Sequence, residues 1–349
     1  MTRKVHAAHT EAGCRSIGFL HRLMVFILIS GMLFGSACSG SNGETEKQGK
    51  NKQGKKGKDK QMTGNAFTGG IFEASGVAQV PGAGGVLFVD DSRPSEVLWM
   101  KTDQQGQQVG DIKPIPIGIS VENPEGITFD GTYFYIVGSQ SNPKHAERNT
   151  IGRFTFDPNT ATAQNASVLG DFRGWLLNKV PDLAGLGEVK AKQGGLNIEG
   201  IAWDPERKGL LLGLRGPVVD GKALVVPLRF VNPQGPFSLD NLQVENGKAI
   251  SLSVGGSAIR DIQYDTRLKS FLIISGAPEN EDKGDFILWQ WDGKAASSPI
   301  QKSVLDNSAK PEGVTSLDVG GDSFMFIVCD GSRYAKIDYS SIESSKGGN

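Results

Sequence analysis

Histidine and cysteine are scarce in this chain, with four and three among 349 residues. His6, His9 and His21 precede residue 38, so the rest of the chain keeps only His145. A zinc site built on several imidazoles is thereby excluded, and any Ser-His-Asp arrangement would have to use His145. That residue ends the run Ser139-Gln-Ser-Asn-Pro-Lys-His145, which reads as an exposed loop with an incidental histidine. Cys14, Cys38 and Cys329 give no internal disulfide framework if the first leaves with a leader and the second is acylated. Cys329 follows the apolar run Phe326-Ile327-Val328 and reads as a small buried hydrophobe. The chain also lacks a nucleophile elbow, HExxH, a P-loop, a dinucleotide fingerprint and Asp-rich calcium loops.

The longest apolar run, Leu23 to Phe34, is too short to cross a hydrocarbon layer of roughly 30 Å as a helix, but it suits the core of a secretion signal. Arg3, Lys4, Arg15 and Arg22 precede it, and Gly35-Ser36-Ala37-Cys38 follows. Small residues ending at a cysteine resemble the lipobox of bacterial lipoproteins, with Gly35 where Leu is usual. The resemblance implies cleavage before Cys38, lipidation of its thiol and anchoring in the cell envelope by two or three acyl chains. Ser39 in place of Asp implies the outer membrane rather than the inner one, if the cell is Gram-negative.

The net charge of −1 hides an asymmetry. Residues 1–60 carry 11 basic and 4 acidic side chains, whereas the remainder carries 26 and 34. The acidic remainder argues against nucleic acid as a partner, because phosphate contacts need a basic surface. Seven lysines between Lys47 and Lys60, interleaved with glycine and glutamine, show no apolar period. That composition predicts a disordered, solvated spacer. The expected organisation is a signal peptide at 1–37, a tether at 38–66, a globular domain at 67–340 and a flexible tail at 341–349.

Five segments of the globular part resemble one another: Phe72-Glu73-Ala74-Ser75-Gly76-Val77, Pro124-Glu125-Gly126-Ile127, Ile198-Glu199-Gly200-Ile201, Ile259-Arg260-Asp261-Ile262 and Pro311-Glu312-Gly313-Val314. A second and a third apolar run follow each, and the first four repeats offer a fourth. Four strands per repeat predict an all-β fold, a β-propeller. Five blades are expected, or six if the insertion at 171–194 hides one. The fifth repeat lacks a fourth strand, which residues 65–72 could supply to close the ring.

These segments, with Gly213-Leu-Arg-Gly-Pro217, resemble a bacterial domain family of unknown function, DUF3616, over roughly residues 70–335. The resemblance implies a propeller related in pattern to esterase-like and phytase-like propellers, and it brings no activity.

In a propeller the first strand of each blade lines the axis. Glu73, Glu125, Glu199 and Glu312 are therefore expected to form an incomplete acidic ring with Arg260 in the fifth place. Asp90, Asp91, Arg215, Asp261 and Asp330 are expected at the ends of neighbouring strands. Clustered carboxylates need protons, cations or arginines as relief. An oxygen-rich set such as Glu73, Glu125, Glu199 and Glu312 would select Ca²⁺ or Mg²⁺, whereas a structural ring would spend its carboxylates on backbone N–H groups. Binding of a small molecule, glycan or protein at the channel mouth, by a monomer, ranks above a metal-assisted ester or phosphoester hydrolase. The reason is that no catalytic constellation is complete.

Overall fold

The structure, a computed structural model, describes residues 64–144, 149–281 and 283–343. The signal, Cys38, almost all of the tether, His145 and residues 344–349 lie outside the described residues. No described helix is long and apolar enough to cross a membrane.

Short strands that are apolar on both faces must be covered on both sides. Here that is achieved by stacking five antiparallel sheets around one axis. Blade one is β2 (Ala74–Val80), β3 (Gly85–Asp90), β4 (Glu96–Lys101) and β5 (Lys113–Pro116). Blade two is β6 (Pro124–Phe129), β7 (Phe134–Gly138), β8 (Ile151–Asp157) and β9 (Thr162–Leu169). Blade three is β10 (Asn197–Asp204), β11 (Gly209–Gly216) and β12 (Ala223–Phe230), with its outer edge split into β13 (Leu242–Val244) and β14 (Ile250–Leu252). Blade four is β15 (Ala258–Asp265), β16 (Ser270–Gly276), β17 (Ile287–Trp291) and β18 (Ile300–Val304). Blade five is β19 (Pro311–Val319), β20 (Asp322–Cys329) and β21 (Arg333–Asp338), completed by β1 (Asn65–Ala66). The inner strands β2, β6, β10, β15 and β19 each pack on the next, and β19 returns to β2. The expectation of five four-stranded repeats holds.

The ring closes where the sequence placed the closure. Asn65 pairs with Tyr334 and Ala66 with Arg333, at the last two residues assigned to the tether. Phe67 then inserts between Phe88 (5.1 Å) and Tyr334 (5.4 Å), so the two-residue strand is held chiefly by a buried aromatic stack.

The insertion hides no sixth blade. It forms α1 (Phe172–Lys179) and short 3₁₀ turns, and it buries Phe172, Leu176, Val180 and Leu183 in the core shared by blades two and three. Arg173 pins it, donating to the carbonyls of Gln140, Leu186 (2.9 Å) and Gly187 (3.1 Å). Cys329 is fully buried, and burial pushes its thiol up to about 12, as befits an inert packing residue.

Glycine sets the seams between blades. A Cβ on Gly126 would lie 2.9 Å from the Glu199 carbonyl of the next blade, and one on Gly313 would lie 2.4 Å from the Ser75 carbonyl. Backbone cannot yield as a side chain can, so these positions require hydrogen at Cα.

Candidate functional site at the channel mouth

Each inner strand carries a one-residue bulge near its start. The unpaired residue is Glu125 in β6, Glu199 in β10, Arg260 in β15 and Glu312 in β19. A bulge re-aims its extra side chain out of the strand's alternation. All four line one cavity of about 210 Å³ at the axis. In β2 the bulge falls between Ala74 and Val77. A Cβ on Gly76 would meet Gly126, which aligns the two glycines and puts Ser75, not Glu73, in the place of Glu125. The ring is therefore Ser75, Glu125, Glu199, Arg260 and Glu312. Glu73 precedes β2 and is exposed, yet it lines the same cavity from outside the register.

Of the ten residues the sequence singled out, eight line the cavity: Glu73, Asp91, Glu125, Glu199, Arg215, Arg260, Glu312 and Asp330. Asp90 and Asp261 do not. Asp90 is buried and holds a turn, accepting from the backbone N–H of Glu73 (3.0 Å) and Ser92 (3.0 Å) and from the Ser92 hydroxyl (2.5 Å). Asp261 occupies the register position that is glycine in the other four blades. It is fully buried, accepts from Val314 N–H (2.7 Å) and leaves Oδ1 without a donor. Burial raises its pKa well above the ordinary range, and its bond to Val314 N–H stitches blade four to blade five.

The cavity divides electrostatically into two arcs. In one, Arg260 ties Glu199 (3.1 Å) to Glu312, while Arg215 holds Glu199 (2.8 Å) and Glu279 (2.7 Å). Burial alone would lower the Arg260 pKa, but Glu199 and Glu312 outweigh it and the net shift is upward. Burial, opposed by Arg260, pushes Glu312 up to about 7. Asp330 sits at the rim, paired with Lys310 (2.8 Å).

In the other arc Glu73, Asp91 and Glu125 form no ion pair among the described residues, although Arg260 acts on Glu125 through space and Arg93 lies 3.6 Å from Asp90. Glu125 takes hydrogen bonds from Asn123 and from Ser75 (3.4 Å). Burial first, then the charge of Glu199, pushes its carboxyl well above the ordinary range against the pull of Arg260. Asp91 is pushed up to about 6 by burial and then by its hydrogen-bonded neighbour Glu73. Carboxylate oxygens of Glu73, Asp90 and Asp91 all lie within 4.8 Å of one another. The four-glutamate cation set expected from the sequence is not what the fold assembles, because Glu199 and Glu312 are held by arginines and Glu73 stands apart with the two aspartates.

Below this layer the channel is stoppered. Gln263 of blade four donates to the carbonyls of Ile127 and Ile201 (3.2 Å) and accepts from the Thr128 hydroxyl (3.0 Å). Buried groups from three blades thus meet across the axis, and the cavity is blind. Its open side runs into a bay of about 730 Å³ between blades four and five, flanked by Phe286, Lys283 and Lys310. Ser75, Glu279 and Gln263 were not singled out from the sequence. Ser75 was legible from its glycine neighbour, whereas Glu279 lies on a loop with no repeat to mark it.

Residues 160–323 match the model of a family described as protein of unknown function (DUF3616), which bears out the resemblance read from the sequence. No curated protein matches the chain. Solved structures with a similar course include hydrazine synthase from Kuenenia stuttgartiensis, at 16% identity over 78% of this chain and 68% of that one, with a TM-score of 0.37. Soluble aldose sugar dehydrogenase from Escherichia coli follows at 11% over 79% and 98%, TM-score 0.42. A GH43 β-1,3-galactosidase follows at 11% over 79% and 94%, TM-score 0.43. At these values none of them bears on function.

Proposed function

We propose that the chain is a membrane-anchored cell-envelope lipoprotein whose propeller binds a small ligand in the blind cavity at its channel mouth, through a cationic group on that ligand. One observation carries this reading: Glu73, Asp91 and Glu125 line the cavity without an ion pair among the described residues, while Glu199 and Glu312 are already paired with arginines. An ammonium group would replace the protons that relieve the arc at lower pH. Its binding therefore strengthens as pH rises through about 6, where Asp91 ionises. Calorimetric titration with spermidine at pH 5.0 and 7.5 tests this. Heat that grows with pH and is lost in Glu125→Gln supports it, and no heat at millimolar concentration at either pH removes it.

The second reading is a hydrolase of esters or phosphoesters assisted by Ca²⁺ or Mg²⁺, favoured by the approach of Glu73, Asp90 and Asp91. The fit is incomplete, because Asp90 spends both oxygens on its own turn and leaves Glu73 and Asp91 as the open donors. A bound divalent ion would supply an activated water there. Arg215 and Arg260 already hold two carboxylates each, which weakens them as clamps for an anionic substrate. Release of product from p-nitrophenyl esters or phosphates that depends on added Ca²⁺ would favour this reading over simple binding.

A further inference from the structure

The inner strands run from the cavity toward turns at the opposite end of the propeller, and there blades two and three carry a second depression of about 430 Å³. Its floor is aromatic. Tyr135 lies parallel to Trp203, 6.3 Å between centroids at 7°, and Phe230 is tilted against both rings. Trp203, Phe230 and the neighbouring Tyr133 are only half-buried, and Val231 beside them is 62% exposed. Tyr133, Trp203 and Phe230 pack on the core shared by blades two and three and keep part of their surface open to solvent, although the fold has other aromatics fully covered.

The wall is the connection from β12 to β13, residues 231–241. It is braced rather than slack: buried Asn241 accepts from Asn232 N–H (2.8 Å) and donates to the carbonyls of Asn232 (2.9 Å) and Pro236 (2.9 Å). The loop sends Phe237 over to blade two, where the Arg153 guanidinium is held between rings, 4.7 Å from Phe237 and 4.3 Å from Tyr133. Arg153, whose Nε donates to the Ser167 hydroxyl (3.3 Å), thus holds its guanidinium beside partly buried rings, with Gln234 and Lys208 on the rim. Asp130 keeps its charge but is already engaged, accepting from Thr132 N–H (2.7 Å), Tyr133 N–H (2.7 Å) and the Tyr135 hydroxyl (2.9 Å).

We infer that this cleft is a saccharide-binding site, separate from the acidic cavity. A sugar ring has a C–H face that packs on an aromatic ring and an equatorial edge of hydroxyls that need fixed donors and acceptors. Trp203 and Tyr133 supply the first, and Arg153 and Gln234 supply the second. The site needs no titration and no metal, so its affinity is flat between pH 5 and 8, unlike the channel mouth. A cleft made only of rings would instead suit a proline-rich peptide, and the planar donor fixed at Arg153 is what favours the sugar.

Calorimetry on the full chain with cellotetraose, chitotetraose and maltotetraose tests the assignment, with decaproline as the competing class. Binding of at least one tetrasaccharide is expected, reduced about tenfold by Tyr133→Ala. Gln234→Ala, on an exposed loop where folding is not at stake, should lower it severalfold, and saturating spermidine should not compete. The inference is overturned if no tetrasaccharide binds, if both variants bind as the parent does, or if decaproline binds in their place.

Discussion

Arg260→Met is the most informative single perturbation of the channel mouth. Arg260 is the only cation that touches Glu312 among the described residues, and it also bonds Glu199. The three side chains are 11%, 13% and 5% exposed, so the carboxylates left behind stay in a poorly solvated cavity. Glu199 keeps Arg215, while Glu312 loses its ion-pair partner and feels Arg215 and Lys310 only through space. Breaking a buried pair from one side costs about 3–5 kcal/mol. For a domain of this size that corresponds to a fall in Tm of roughly 6–10 °C.

The cost depends on pH because Glu312 can take up a proton. Its folded pKa lies near 7 even with Arg260 present, above the ordinary 4.5. A carboxyl raised on folding contributes stability that is present below 4.5 and is lost as pH rises through the folded value. Removing the guanidinium raises that value further. The variant should therefore lose its full 3–5 kcal/mol at pH 8 but only about 1–3 kcal/mol at pH 5, where a neutral carboxyl merely lacks a hydrogen bond. Urea unfolding at the two pH values measures the difference. Adding Glu312→Gln to Arg260→Met should restore most of the loss at pH 8. An equal loss at both pH values, or none from Arg260→Met at pH 8, would refute the electrostatic account.

Other perturbations probe the seams, the closure and the anchor. Gly313→Ala forces a Cβ to within 2.4 Å of the Ser75 carbonyl and should cost about 1–3 kcal/mol in urea unfolding; an unchanged midpoint would mean that the seam can open without penalty. Phe67→Ala removes the ring stacked between Phe88 and Tyr334 and should cost about 3 kcal/mol, whereas truncation to Gly64 should leave a cooperative β-rich melt. Cys38→Ala should move the protein from the membrane to the soluble fraction, and wild type that is already soluble without detergent would end the lipoprotein proposal. Glu199→Gln should weaken the hold on both Arg215 and Arg260 and lower Tm, a loss detectable by calorimetry.

The fold was legible because a blade is a unit with its own strand order, and five similar runs of apolar residues repeat that order along the chain. Closure by residues 65–72 followed from the missing fourth strand of the last repeat. The site was legible as a set of positions but not as a geometry. Aligning the repeats on charge placed Glu73 in the ring, whereas the glycine that touches the next blade is the true register mark and selects Ser75. Asp261 stood beside Arg260 in the sequence, but a bulge turns successive residues to different sides, so one faces the axis and the other the seam. The Gln263 stopper depends on contacts between positions far apart in the chain, which carry no local pattern, and the Asn241 brace sits in a β12–β13 connection that the repeat does not mark.

The closure of the ring sets an order of events for biogenesis. The latch, Asn65–Ala66, precedes its partner strand, Arg333–Asp338, by four blades and the first two strands of the fifth. A chain emerging from its N-terminus can pair the hairpins of each blade as they appear, but it holds an open fan until the final blade exists. The fan exposes the unpaired edge of β21 and the aromatic pocket for Phe67, so a chaperone or a second fan can occupy that gap first. Exchange of the latch between two copies would give a domain-swapped dimer with the native blade contacts preserved, a trap favoured by high concentration during folding and escaped only by reopening the ring.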